Sequence, residues 1–322
     1  MFTPLQFSDP IEQQVRWVED TAPEAIIRQS LNRLRDGLSP LELLRASALA
    51  LVRSTELPAS HHGGAVHPIN ALHGCLKTFE RLSGPLSCLP LIQHVALCNH
   101  HIHSPHMGPY IMPALEPRDG TIDDAYETFH DSESSIVHMG KSTSESDNGR
   151  GNRETTLAAF LNNLHLQRPV AAEQCCLWLI DHDSPESVLN AMLPTMVARN
   201  HMDDHYFLYP VLNARALDCI GREWSRVLMR PVVRFQARNA IDLSDGASFQ
   251  FSQIEEALNE YQLLDIGIPE QTGDNETEAI GRLGWLIGTT QPFSKHVELM
   301  AEALANGLSL QGAGEALSIG AS

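Results

Sequence analysis

The sequence predicts an all-α fold, with antiparallel helix hairpins stacked as an irregular helical repeat or bundle. Three observations carry this. Apolar residues recur at three- and four-residue steps through most of the 322 residues. Ser-Pro pairs and glycines punctuate those runs. No stretch alternates β-branched with polar residues, and no Asn-Gly pair joins two such runs as a hairpin turn.

Taken in order, "PEAIIRQSLNRLRDGL" follows Thr21 as a cap and stops at Gly37. "SPLELLRASALALVRS" has Ser39 as its cap and Pro40 at the first helical position, where the missing N–H is harmless. "PINALHGCLKTFERL" follows, with His67 as cap and Pro68 first, behind a tight turn at Gly63 and Gly64. "SCLPLIQHVALCN" is the next helix. Residues 116–153 break the pattern. They are polar and rich in Ser and Gly, and they read as a long loop or linker, mobile between 140 and 153. Helices resume at "TTLAAFLNNLHL" and "AAEQCCLWLI", and a second loop covers 266–276. The chain thus divides into an N-terminal helical part (1–115), a linker (116–153) and a second helical part (154–322). The last stretch, "GLSLQGAGEALSIGAS", ends in small and apolar residues without a stop signal, so a continuation past Ser322 is expected.

Three helix hairpins share a plan. The first joins "SPLELLRASALALVRS" to "PINALHGCLKTFERL" through a His-containing turn. The second runs from "SPESVLNAMLPTMVAR" through "NHMDDHYFLY" into "PVLNARALDCIG", with a helix starting at Pro210. The third runs from "NETEAIGRLGWLIGTT" through "QPFSKH" into "VELMAEALANGL". Low identity leaves a common origin and a merely shared architecture equally open. Stacked hairpins align equivalent turns along one edge. That edge would carry His61, His62 and His67, then His201 and His205, then His296. One further antiparallel helix brings His100, His101, His103 and His106 to it by parity.

The formal net charge is −18, with no basic stripe, which argues against nucleic-acid binding. No apolar run reaches the ~20 residues of a membrane span, and the N-terminus has no signal-peptide pattern. The six cysteines lack CxxC spacing and sit in apolar, helix-like segments, the pattern of reduced buried thiols. A cytoplasmic protein is the expectation.

Histidine is where chemistry is concentrated. Eleven of the sixteen histidines fall between 61 and 138, which is not an even scatter. In "HMDDH", His201 and His205 would share one face of a helix and could hold a metal, with Asp203 or Asp204 as a third ligand or a ring-orienting carboxylate. The alternative is a polar turn in which an aspartate caps the next helix. His101 and His103 point the same way if their segment is extended. Cys98 and Met107 nearby would favour a soft ion. The ligand set read from this is His62, His67, His101, His103, His201 and His205, around Fe, Cu or Zn. For acid–base work the candidates are His67, His205 and Asp204, since imidazole is the side chain best suited to proton transfer near neutral pH. His73, His94, His130, His138 and His165 read as structural or solvent-facing, and Asp183 or Ser184 caps a helix. Dinucleotide, phosphate-loop and GxSxG motifs are absent from the sequence.

"SHHGGAVHPINALHG" and "DDHYFLYPVLNARALDCIG" together resemble the questin oxidase-like family of helical proteins, over about a tenth of the chain. The likeness implies an oxidoreductase with a histidine-lined helical pocket, active on aromatic polyketide rings by a Baeyer–Villiger-like reaction. The expected function is therefore oxidation of a small organic substrate, which the resemblance implies is aromatic, over an apolar pocket, with or without a metal. The alternatives are a non-enzymatic acidic helical scaffold that binds a protein partner, and the N-terminal part of a larger redox protein.

Overall fold

Serine, proline and a few tertiary contacts decide where the helices begin. The computed structural model describes residues 3–56, 66–107, 110–120, 148–200, 204–238, 245–292 and 294–322. The chain is 73% helical, with fourteen α-helices and no strand among the described residues. In the first unit, Met1–Ile241, run α1 (Ile11–Asp20), α2 (Pro23–Arg35), α3 (Pro40–Ser54), α4 (Val66–Arg81) and α5 (Leu89–Ile102). They are followed by α6 (Asn148–His165), α7 (Pro169–His182), α8 (Pro185–Arg199), α9 (His205–Ile220) and α10 (Ser225–Gln236). The second unit, Asp242–Ser322, holds α11 (Asp245–Glu260), α12 (Thr277–Thr289), α13 (Lys295–Ala305) and α14 (Leu310–Gly320). The division thus falls between Ile241 and Asp242, whereas the sequence pattern placed it at 116–153. Helices from both sides of that segment, such as α3 and α10, pack together in the first unit.

The Ser39 cap forms as expected. Its Oγ accepts from the Glu42 N–H at 3.2 Å, and the Glu42 carboxylate accepts from the Ser39 N–H at 3.0 Å. From there α3 is apolar on nearly every side, with Leu43, Leu44, Leu49 and Leu51 fully buried. A helix apolar all round belongs in the centre, and α3 packs against α1, α4, α5, α9 and α10. A segment at 110–120 lies across these helices as an extended strap. Met112 N–H donates to Arg53 O at 2.7 Å, Ala114 N–H to Thr3 O at 2.7 Å, and Arg118 N–H to Gln174 O at 3.1 Å.

Four expectations are corrected. Thr21 caps the end of α1 instead of the start of α2, which opens after Ala22. α4 opens at Val66, so His67 sits in its first turn and is not the cap. α6 starts at Asn148, so the end of the supposed loop, 148–153, is helical. Arg153 fixes that polar start, donating to Asp183 at 2.6 Å and to the Ser187 hydroxyl at 2.9 Å. Residues 140–147, where mobility was expected, lie outside the described residues. Last, α9 opens at His205 and takes Pro210 into its interior. A proline there has no N–H for the Tyr206 carbonyl. The Gln236 side chain supplies it, donating to Tyr206 O at 2.6 Å from the end of α10. A distant amide therefore permits a helix that the local sequence forbids.

In the second unit, α12 and α14 meet backbone to backbone. A Cβ at Gly320 would lie 2.9 Å from the Gly284 carbonyl oxygen, so only glycine allows this approach. Ile280, Leu283, Ile287, Leu308, Ala313 and Ala316 form the core beside it. The loop expected at 266–276 is present between α11 and α12.

Gln236 is fully buried, so Gln236→Leu should strand the Tyr206 carbonyl and lower stability by about 1–3 kcal/mol. Urea denaturation measures it. Unchanged stability would show that Pro210 needs no such partner.

Candidate functional site

The site begins with two helix starts. His67 is the second residue of α4 and His205 the first of α9, and these helices pack side by side. Their rings meet across 138 residues of sequence, Nε2 to Nε2 at 3.1 Å, with centroids 5.2 Å apart and planes tilted by 54°. Asp204 stands just before α9, but its side chain makes no cap bond. Its Oδ1 lies 3.1 Å from His205 Nδ1 instead. The result is a chain of contacts: carboxylate, imidazole, imidazole.

Asp204 decides the tautomers. A carboxylate facing Nδ1 requires a proton there, so His205 presents an Nε2 lone pair in its neutral form. His67 then donates its Nε2–H to that lone pair. The opposite assignment would point the His205 Nδ1 lone pair at a negative oxygen. His205 is half-buried, while His67 and Asp204 are exposed, so the chain runs from solvent towards the packed helices.

α5 brings the third element. His100 and His101 occupy its last turn, with ring centroids 5.9 Å apart. Burial lowers the His101 pKa, and the charges of His100 and His67 lower it further, which places His101 within electrostatic reach of His67. The starts of α4 and α9 thus meet at His67 and His205, and His101 lies near enough to His67 for their charges to act on one another. His103 does not follow. It is the exposed C-cap of a helix that already contains His101, so the extended geometry expected for His101 and His103 is not formed. His106 is exposed beyond it. His61, His62, His201 and Asp203 lie outside the described residues. His296 belongs to the second unit, where its Nε2 lies 3.1 Å from the Thr290 carbonyl.

Could these residues hold a metal? Two imidazole nitrogens bound to one tetrahedral ion at ~2.0–2.1 Å stand roughly 3.3 Å apart, close to the separation here. A carboxylate behind the second nitrogen of one ring is also the usual support for a ligating histidine. Among the described residues, however, no three His, Cys, Asp or Glu side chains converge as a metal site. His67 and His205 are a partial ligand set, one short of the three protein ligands of a catalytic zinc.

Two features escaped the sequence pattern. His94, fully packed inside α5, holds the start of α4: its Nε2–H donates to Pro68 O at 3.0 Å, one residue past His67. Ser47 Oγ lies 3.2 Å from its Nδ1. The other feature is a buried ion cluster. Glu173 accepts from Arg230 Nε and Arg234 Nε, each at 2.6 Å, and Arg234 also bonds Glu56. Its one sequence signal was a pair of arginines four apart in the otherwise apolar "VLMRPVVRFQ". Burial alone would lower the Arg234 pKa, but Glu173 and Glu56 outweigh it and raise it.

No family model, no curated protein and no solved structure matches this chain.

His94 gives the site a pH dependence. Burial pushes its imidazole from the ordinary 6.5 down to about 4, opposed in part by the Pro68 hydrogen bond. Below pH ~6.5 the unfolded chain takes up a proton at His94 that the folded chain refuses, so stability falls as pH drops towards 4. The loss attributable to His94 is about 3 kcal/mol at most. His94→Gln should flatten the stability profile between those limits in pH-dependent denaturation. An unchanged slope would contradict a neutral His94.

Proposed function

We propose that the chain is an oxidoreductase for a small organic substrate and that Asp204, His205 and His67 form its proton relay. The observation that supports this is the 3.1 Å Nε2–Nε2 contact backed by Asp204 at 3.1 Å. In the neutral relay His67 carries its proton on Nε2, which leaves its Nδ1 as the basic nitrogen. A substrate hydroxyl gives its proton to that Nδ1. The Nε2 proton of His67 then passes to His205, and the imidazolium so formed faces the Asp204 carboxylate. Spreading the positive charge over two rings and a carboxylate lowers the cost of deprotonation. Deprotonating a phenol or enol makes it electron-rich, and that is the acid–base half of an oxidation. The resemblance of "SHHGGAVHPINALHG" and "DDHYFLYPVLNARALDCIG" to the questin oxidase-like family supports the oxidative half and an aromatic substrate.

A transition metal (Fe, Cu or Zn) is a second reading. It is favoured by the near-chelating separation of the two Nε2 atoms and by Asp204 behind His205. Such an ion would polarise a substrate oxygen or, for Fe or Cu, exchange electrons with it.

Turnover of a panel of phenols and anthraquinones, followed by oxygen uptake with and without reduced nicotinamide, tests the proposal. His67→Ala and His205→Ala should each lower the rate about 10²-fold or more, and Asp204→Asn by less. Elemental analysis of the same proteins separates the readings. Under the relay reading the rate falls with no bound metal in the wild type. Under the metal reading metal content falls with the rate. Variants as active as the wild type, or no turnover of any member of the panel, would count against the function.

A further inference from the structure

The second unit holds a cavity of about 400 Å³ between α12 and α13. Its floor is apolar, with Leu283 and Leu286 from α12, Leu299 from α13 and Leu308 from the turn before α14. Its rim carries both signs of charge: Glu278 and Arg282 on α12, and Glu302 on α13. We propose that this cavity binds a free α-amino acid with a large apolar side chain. The site stands apart from the Asp204, His205 and His67 relay, since every residue it uses belongs to the second unit.

The charge pattern is the first reason. Glu278 and Arg282 are four residues apart with the glutamate first, the order that favours an ion pair along a helix. Among the described residues, though, neither makes a salt bridge or a side-chain hydrogen bond, and Glu302 makes none either. One guanidinium and two carboxylates are therefore uncommitted around a single apolar floor. Residues at this spacing hold their Cβ atoms roughly 5–6 Å apart, so their charged ends can reach one bound molecule together. An α-amino acid carries its carboxylate and its ammonium on one carbon, which suits such a pair. Arg282 donates to the carboxylate, and the ammonium donates to Glu278 and Glu302. A plain acid or a plain amine would leave one sign of the rim unanswered.

Space is the second reason. Ala279 and Ala303 also line the cavity, and their single methyls leave open the volume that a ligand side chain would take. Leu283 and Leu308 beneath are buried in the core of the unit, so the floor is firm. A cleft of this size, mostly apolar with a few charged groups at its edge, is the usual form of a small-molecule site.

The third reason is that the mouth is already fixed. Glu276, just before α12, accepts from the Gly273 N–H at 2.9 Å through Oε1. Its Oε2 accepts from the Ser309 N–H at 3.1 Å and from the Ser309 hydroxyl at 2.7 Å. The start of α12 is thereby tied to the start of α14. Asn275 and Leu308, the neighbours of the two tied residues, both line the cavity. Little ordering is left for a ligand to impose.

Calorimetric titration of the full chain with four probes tests the site: L-phenylalanine, its amide, its N-acetyl derivative and glycine. The amide lacks the carboxylate, the N-acetyl form lacks the ammonium, and glycine lacks the side chain. L-phenylalanine should bind saturably and at least about tenfold more tightly than each of the other three. Arg282→Gln should weaken L-phenylalanine about tenfold and leave the amide unchanged, which a merely structural role would not produce. The double variant Glu278→Gln, Glu302→Gln should do the same for the ammonium, leaving the N-acetyl form unchanged. Ala279→Leu, at an exposed helical position, should block the cavity and cut affinity about tenfold or more at an unlowered Tm. The inference is overturned if L-phenylalanine fails to bind up to about 10 mM. It is overturned equally if any of the three analogues matches it, or if Arg282→Gln, folded by its Tm, binds it like the wild type. Sedimentation of the same proteins covers the other occupant. A dimer that Ala279→Leu dissociates, with no phenylalanine bound, would assign the cleft to a second copy of the chain and overturn the inference.

Discussion

One buried carboxylate organises the first unit. Glu173 on α7 is 2% exposed and accepts hydrogen bonds from two arginines one helical turn apart on α10. Arg230 reaches on to the Pro113 carbonyl in the 110–120 strap at 2.7 Å, and Arg234 reaches Glu56 just past α3. Two sequence-distant helices, a strap and a helix end are thereby fixed in one register. Burying three charges costs more than pairing returns unless every partner is placed, so this cluster contributes less to raw stability than to choosing one arrangement. Once α3, α7 and α10 are set, the ends of their neighbours are set too.

The candidate site is a consequence of that register. Packing of α4 against both α9 and α5 brings His67 onto His205 and within electrostatic reach of His101. Two tertiary contacts then refine the placement. His94 anchors Pro68, beside His67, and Gln236 anchors Tyr206, beside His205. Both anchors are buried polar groups whose partners are backbone carbonyls, so neither has freedom to shift without leaving an unpaired group behind. Helix ends supply the reactive rings, and the core supplies the precision.

Much of this was legible in the residues. The helical period, the Ser39–Pro40 start and the hairpin parity are local or topological signals. The trio His67, His205 and Asp204 follows from them. What stayed hidden depends on partners far along the chain. Pro210 reads as a helix start because nothing nearby announces that Gln236 will serve the carbonyl it frees. The end of the polar linker reads as loop because the residues that hold Arg153, Asp183 and Ser187, come some thirty positions later. His101 and His103 look like a matched pair only if the backbone is extended, and α5 runs one turn too far for that. His94 reads as structural or solvent-facing, and nothing local shows that its partner is the Pro68 carbonyl.

The central claim is that His67, His205 and His101 share one site, and site-resolved ¹⁵N-histidine NMR titration tests it most directly. The account predicts that His205 holds the Nδ1–H tautomer. His101 should titrate below the ordinary histidine value, and its pKa should rise in His67→Ala as one positive neighbour is removed, staying low because burial remains the larger cause. In the same variant the His205 Nε2 resonance should shift as its hydrogen-bond donor disappears. A His101 titration and a His205 Nε2 signal that both ignore the loss of His67 would contradict the shared site.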